Sequence, residues 1–132
     1  MMVAGCATMR LLYLATLGIS AVTQLGFGLL FLLAPSVLVG HAGLTLTRDV
    51  HSLMLNLGAL VVFVAGMCAL ALRWRAREEG YVIGASVGAL LLTMGIGHAF
   101  IGVWAPVVWD GVRGLVLIVT ASVLGRRLHQ PG

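Results

Sequence analysis

Between Leu11 and Gly125 the chain is almost continuously apolar, broken by formal charge only at Arg48-Asp49, within the run Arg73 to Glu79, and at Asp110 and Arg113. Four long apolar segments follow, read as roughly 11–33, 50–72, 81–104 and 106–125. At a rise of ~1.5 Å per residue, a helix of about 20 residues crosses a hydrocarbon core about 30 Å thick. The fourth segment is interrupted by Asp110 and Arg113. The uncharged stretch Gly114 to Gly125 is too short to span alone, so those two residues are expected at its outer end. The expected fold is therefore a single all-α integral membrane domain, four transmembrane helices arranged as two hairpins.

Only 9% of the 132 residues are charged, against about 25% in soluble domains. That excludes a water-facing globular fold. The net charge of +4 comes from eight arginines, with no lysine, against Asp49, Glu78, Glu79 and Asp110. These arginines sit at the ends of apolar runs instead of forming a stripe, so no nucleic-acid partner is expected. With four crossings, Arg10, Arg73, Arg75, Arg77, Arg126 and Arg127 fall on one side, and Arg48 and Arg113 on the other. An excess of basic residues marks the cytoplasmic side, which places both termini inside a bacterial cytoplasmic (inner) membrane. Val3-Ala4-Gly5-Cys6 superficially resembles a lipoprotein cleavage box, but the apolar run follows it, so the first segment is expected to be retained as a helix. Cys6 and Cys68 form neither a CxxC pair nor a metal set.

An internal repeat supports the two-hairpin reading. Gly26-Phe27-Gly28-Leu29-Leu30-Phe31-Leu32-Leu33-Ala34-Pro35 aligns with Gly97-His98-Ala99-Phe100-Ile101-Gly102-Val103-Trp104-Ala105-Pro106. Each is expected to end a helix at Ala-Pro, because proline cannot continue the helical hydrogen-bond ladder. Polar helix starts follow, Arg48-Asp49-Val50-His51 in one half and Asp110-Gly111-Val112-Arg113 in the other. The halves would be related by an axis along the membrane normal. The stretch from Ala34 to Asp49 is the one connection long enough to carry a structural feature of its own.

The Phe27 to Pro35 stretch, together with Arg48 and Gly58 near the start of the second helix, resembles the small bacterial four-helix membrane proteins of the DoxX-like kind. That resemblance implies a four-helix architecture and an association with redox or quinone-linked membrane complexes. It carries no active-site residues onto this chain.

Residues able to do more than fill lipid are few. Gly84, Gly88, Gly95 and Gly102 recur at spacings of four, seven and seven, one face of the third helix, where a neighbouring helix is expected to pack closely. His98 lies beside that face. On the second helix Asp49, Ser52 and Asn56 share a face, as do Asp110, Arg113 and Thr120 on the fourth. Asn56 and His98 each lie six residues inside a segment end, roughly 9 Å deep, and Gln24 is deeper. One arrangement is an outward-facing polar pocket with His98, Asn56 and Gln24 at its floor and Arg48, Asp49, His51, Asp110 and Arg113 at its mouth. The other has these side chains hydrogen-bonding between helices, with Asp110 and Arg113 as an interfacial pair.

No cofactor is expected. A bis-histidine haem needs facing ligands at similar depth, whereas His51 lies near the surface, His41 in a loop and His129 at the opposite end from His98. No HExxH motif and no first-helix carboxylate points to metalloprotease or proton-exchange chemistry, and no enzyme activity is indicated. The expected function is a non-enzymatic accessory or assembly subunit acting by helix packing in the lipid bilayer, as a homodimer or in a larger membrane complex. The alternative is a binder or carrier of a lipophile, quinone-like, using the pocket around His98.

Overall fold

A computed structural model describes residues 2–41, 43, 45–100, 102 and 104–129, and these residues form helices, turns and short irregular connections, with no strand among them. Five helices follow in order: α1 Met2–Leu33, α2 Pro35–His41, α3 Arg48–Arg73, α4 Glu78–Phe100 and α5 Trp104–Leu128. Four stretches, Gly5–Leu33 in α1 and the whole of α3, α4 and α5, are long and apolar enough to cross a membrane. α2 is the additional element. It lies in the long connection after Ala34, and at seven residues is far too short to span.

The two Ala-Pro pairs do different things. Ala34 separates α1 from α2, and Pro35 opens α2, where a missing N–H costs nothing. Ala105-Pro106, expected to end a helix, instead lies in the first turn of α5, where proline is equally well tolerated. The third segment, expected to reach Trp104, ends at Phe100, and Trp104 begins the next helix. Beyond the ends of α2 and α4, Gly43 and Gly102 adopt φ of +68° and +76°, the left-handed region that closes helix C-termini. Their N–H groups donate to the carbonyls of Gly40 and Ala99, each at 3.1 Å.

At the start of α3 the Thr47 hydroxyl accepts the Val50 N–H at 3.3 Å, an N-cap, with Asp49 in the first turn favouring the helix dipole. Arg48 and Asp49, expected as the polar start of the second helix, are its first residues. Glu78 and Glu79 play the same electrostatic part at the start of α4. They lie in the helix, not in the preceding charged turn.

The chain divides into two compact units, Met1–Ser20 with Met67–Gly132, and Ala21–Gly66. In the larger unit α4 and α5 run antiparallel at close range. A Cβ on Gly88 would stand 2.7 Å from the Gly114 carbonyl oxygen, and one on Gly114 would stand 2.6 Å from that of Gly88. Backbone meets backbone there, which only glycine on both sides permits. Around this contact the fully buried Val87, Leu91 and Leu117 form the apolar core. In the smaller unit the C-terminal part of α1 runs antiparallel to α3. A Cβ on Gly28 would meet Val62 at 2.6 Å, and one on Gly58 would meet Leu32 at 2.8 Å.

Candidate functional site

The larger unit places two opposite charges inside an apolar helix. Asp110 and Arg113, one turn apart on α5, form an ion pair with side chains 9% and 7% exposed. They are the seventh and tenth residues of the helix, so they sit roughly 9 and 14 Å along it. Expected at the mouth of a polar pocket, both side chains are buried in this unit. Two bare charges in such surroundings would be costly, and the unit supplies further partners. Arg113 Nη1 donates to the Ser20 hydroxyl at 3.4 Å, and its Nε donates to the Trp109 carbonyl at 3.3 Å. Its guanidinium carbon also stands 4.8 Å from the centre of the Trp109 ring, within cation–π range.

Gly95 sets how close α4 comes to this pair on α5. A Cβ on Gly95 would lie 3.2 Å from the Gly111 nitrogen, 3.3 Å from the Val107 oxygen and 3.6 Å from Asp110 Cβ. Gly84 faces α1 instead, where an added Cβ would strike the Tyr13 hydroxyl. That hydroxyl donates to the Gly80 carbonyl at 2.8 Å, and the Tyr13 and Tyr81 rings lie 5.3 Å apart. Gly84, Gly88 and Gly95 are thus each occupied by a neighbour inside the unit. Gly102, expected on the same face, lies beyond the helix end with nothing within 4 Å of an added Cβ, because the helix stops before reaching it.

The remaining pocket residues are dispersed in character. His98 is half-buried in the last turn of α4. Its Nδ1 lies 2.8 Å from the Met94 carbonyl oxygen, which can only accept, so Nδ1 is the donor, and the tautomer this selects has Nε2 as its acceptor. Gln24 is buried at 5% exposure, whereas Asn56 is exposed and so are Arg48, Asp49 and His51. Gln24 and those four belong to the smaller unit; His98, Asp110 and Arg113 belong to the larger. Among the described residues no three metal-ligating side chains gather.

Two contributors escaped the sequence reading. Tyr13 and Ser20 are both fully buried, and with Leu17 and Gln24 they recur at spacings of four, three and four along one face of α1. That periodicity was the available signal. It is faint, because tyrosine and serine are ordinary residues in an apolar helix and usually bond within it, as Thr16, Ser86, Thr93 and Thr120 do here to carbonyls four residues back.

No family model, curated protein or solved structure matches the chain.

Proposed function

We propose that this chain is a four-span integral protein of the bacterial cytoplasmic membrane, with both termini inside, working as an accessory or assembly subunit through helix packing. In this reading its spans form two hairpins in parallel halves, in keeping with the DoxX-like resemblance. The observation that carries the reading is Asn56. It lies eight residues into α3, roughly 12 Å along a helix long and apolar enough to span. Its side chain is exposed and has no hydrogen-bond partner among the described residues. A carboxamide at that depth is costly against lipid and is stabilised by a polar group on a second helix.

Uncovered glycines add to this. Gly26, Gly66 and Gly97 are exposed, with nothing within 4 Å of an added Cβ. Each costs about 1 kcal/mol of helix stability relative to alanine, and each admits a close-packed partner helix. The test is co-purification from host membranes of wild type, Asn56→Leu and Gly97→Leu. The reading expects both variants to insert and fold but to lose a stoichiometric partner. Retention of the same partner by both would overturn it.

His98 favours a second reading, a lipophile binder. With Nδ1 held by Met94, its Nε2 is presented as a hydrogen-bond acceptor, the arrangement that suits a hydroxyl-bearing or quinol-like ligand. A small molecule retained by wild type and lost from His98→Ala would favour this reading over the first.

A further inference from the structure

Where α4 begins and α5 ends, the two helices line an open groove of about 280 Å³. It runs from Glu78, the first residue of α4, to Ala85, and from His129 back to Ala121 on α5. Seven residues of helix make it roughly 11 Å long. Beneath the helix ends the lining is apolar or small, with Val82, Ala85, Ser122 and Gly125 contributing little bulk. A Cβ on Gly125 would touch only Tyr81 Cβ, at 3.6 Å, so the groove has room at its middle.

The charges at its open end are unevenly matched. Glu78 Oε2 lies 3.3 Å from His129 Nε2, and the same imidazole is held at Nδ1 by the Gly125 carbonyl at 3.2 Å. The single carboxylate lining the groove thus faces His129, not Arg126. Arg126, on the same rim, has no ion-pair partner among the described residues. An apolar slot with an unmatched guanidinium at the helix ends is complementary to one molecular class, an anionic amphiphile.

We propose that this groove holds one anionic phospholipid, an acyl chain lying against Val82, Ala85 and Ser122 and the phosphate against Arg126. The proposal rests on the spanning reading of α4 and α5. That reading places the rim at headgroup level, and the groove then reaches about two-thirds of the way through one half of a hydrocarbon core about 30 Å thick. A basic side chain at that level attracts anionic lipid.

The test reconstitutes the full chain into nanodiscs containing equal amounts of phosphatidylglycerol and phosphatidylcholine, followed by gentle delipidation and native mass spectrometry. Wild type is expected to keep one lipid, predominantly phosphatidylglycerol. Arg126→Gln should reduce the preference for phosphatidylglycerol about fivefold. Ser122→Trp, at an exposed position where folding tolerates bulk, should displace the bound lipid of either headgroup, while Ser122→Ala keeps it. Wild-type retention and preference in both Arg126→Gln and Ser122→Trp would overturn the proposal alone. Failure of the wild-type chain to enter the nanodisc would overturn the spanning reading and this proposal together.

Discussion

The α4–α5 pair of the larger unit and the α1–α3 pair of the smaller one both rely on glycine to bring antiparallel helices together, yet they treat polar residues oppositely. Between α4 and α5 the glycines allow backbone to meet backbone, and α5 carries a buried ion pair that reaches Ser20. Between α1 and α3 the nearest atoms to the glycines belong to side chains, Val62 at Gly28 and Leu32 with Phe31 at Gly58, while Arg48, Asp49 and Asn56 of α3 are exposed. One region encloses its polarity and depends on pairing. The other is held by shape and, although it buries Gln24, leaves Arg48, Asp49 and Asn56 outward.

The largest test of this contrast is Asp110→Ala. Removing the carboxylate breaks the buried ion pair of Asp110 with Arg113, and such a break costs about 3–5 kcal/mol. Unfolding of the purified protein in detergent, followed by helical signal against denaturant, is expected to show that loss. A change below about 1 kcal/mol would mean that the pair is solvated and the enclosed region is not enclosed.

Next come the glycines. In Gly114→Ala the new methyl would meet Gly88 O at 2.6 Å and Leu92 N at 2.9 Å, both backbone atoms, so the helices must separate. Overpacking of this kind costs about 1–3 kcal/mol. Gly58→Ala meets Leu32 Cγ at 2.8 Å and Phe31 Cβ at 2.9 Å, side-chain and not backbone atoms, so a smaller separation of the helices relieves it, and both variants gain the same ~1 kcal/mol of helix propensity. The same unfolding assay is expected to rank Gly114→Ala as clearly the more damaging, and equal costs would erase the distinction between the two helix pairs.

Tyr13→Phe sharpens the comparison further. It removes the bond to Gly80 and is expected to cost about 0.5–1.5 kcal/mol. It also removes the oxygen that a Cβ at position 84 would strike, so the double variant with Gly84→Ala should be less damaging than the sum of the two singles. Asn56→Ala should be the smallest effect, within about 0.5 kcal/mol, because the side chain is exposed. Its consequence is expected in partner retention, not in the stability of the isolated chain.

Much of the fold was legible. Length and apolar continuity located four long helices, since no other element disposes of such segments. Boundaries were less legible, because a proline is equally suited to the exit of one helix and the first turn of the next, and only at Ala34-Pro35 does it mark an exit. The candidate site was legible in residue type but not in placement. Asp110 and Arg113 stand out as charges in an apolar run, but their burial depends on Ser20, 93 residues away in sequence, and on the Gly88–Gly114 approach. Neither contact has a local signature. Gly102 illustrates the same limit: its spacing fits the α4 face, but the helix ends two residues before it.

The central claim is that this chain uses its outward faces to pack into a larger membrane assembly. Native mass spectrometry of the tagged protein, extracted from host membranes in a mild detergent, tests it most directly. The account predicts a stoichiometric second protein that is lost in Asn56→Leu. A lone monomer carrying a small molecule other than phospholipid, lost in His98→Ala, would contradict it.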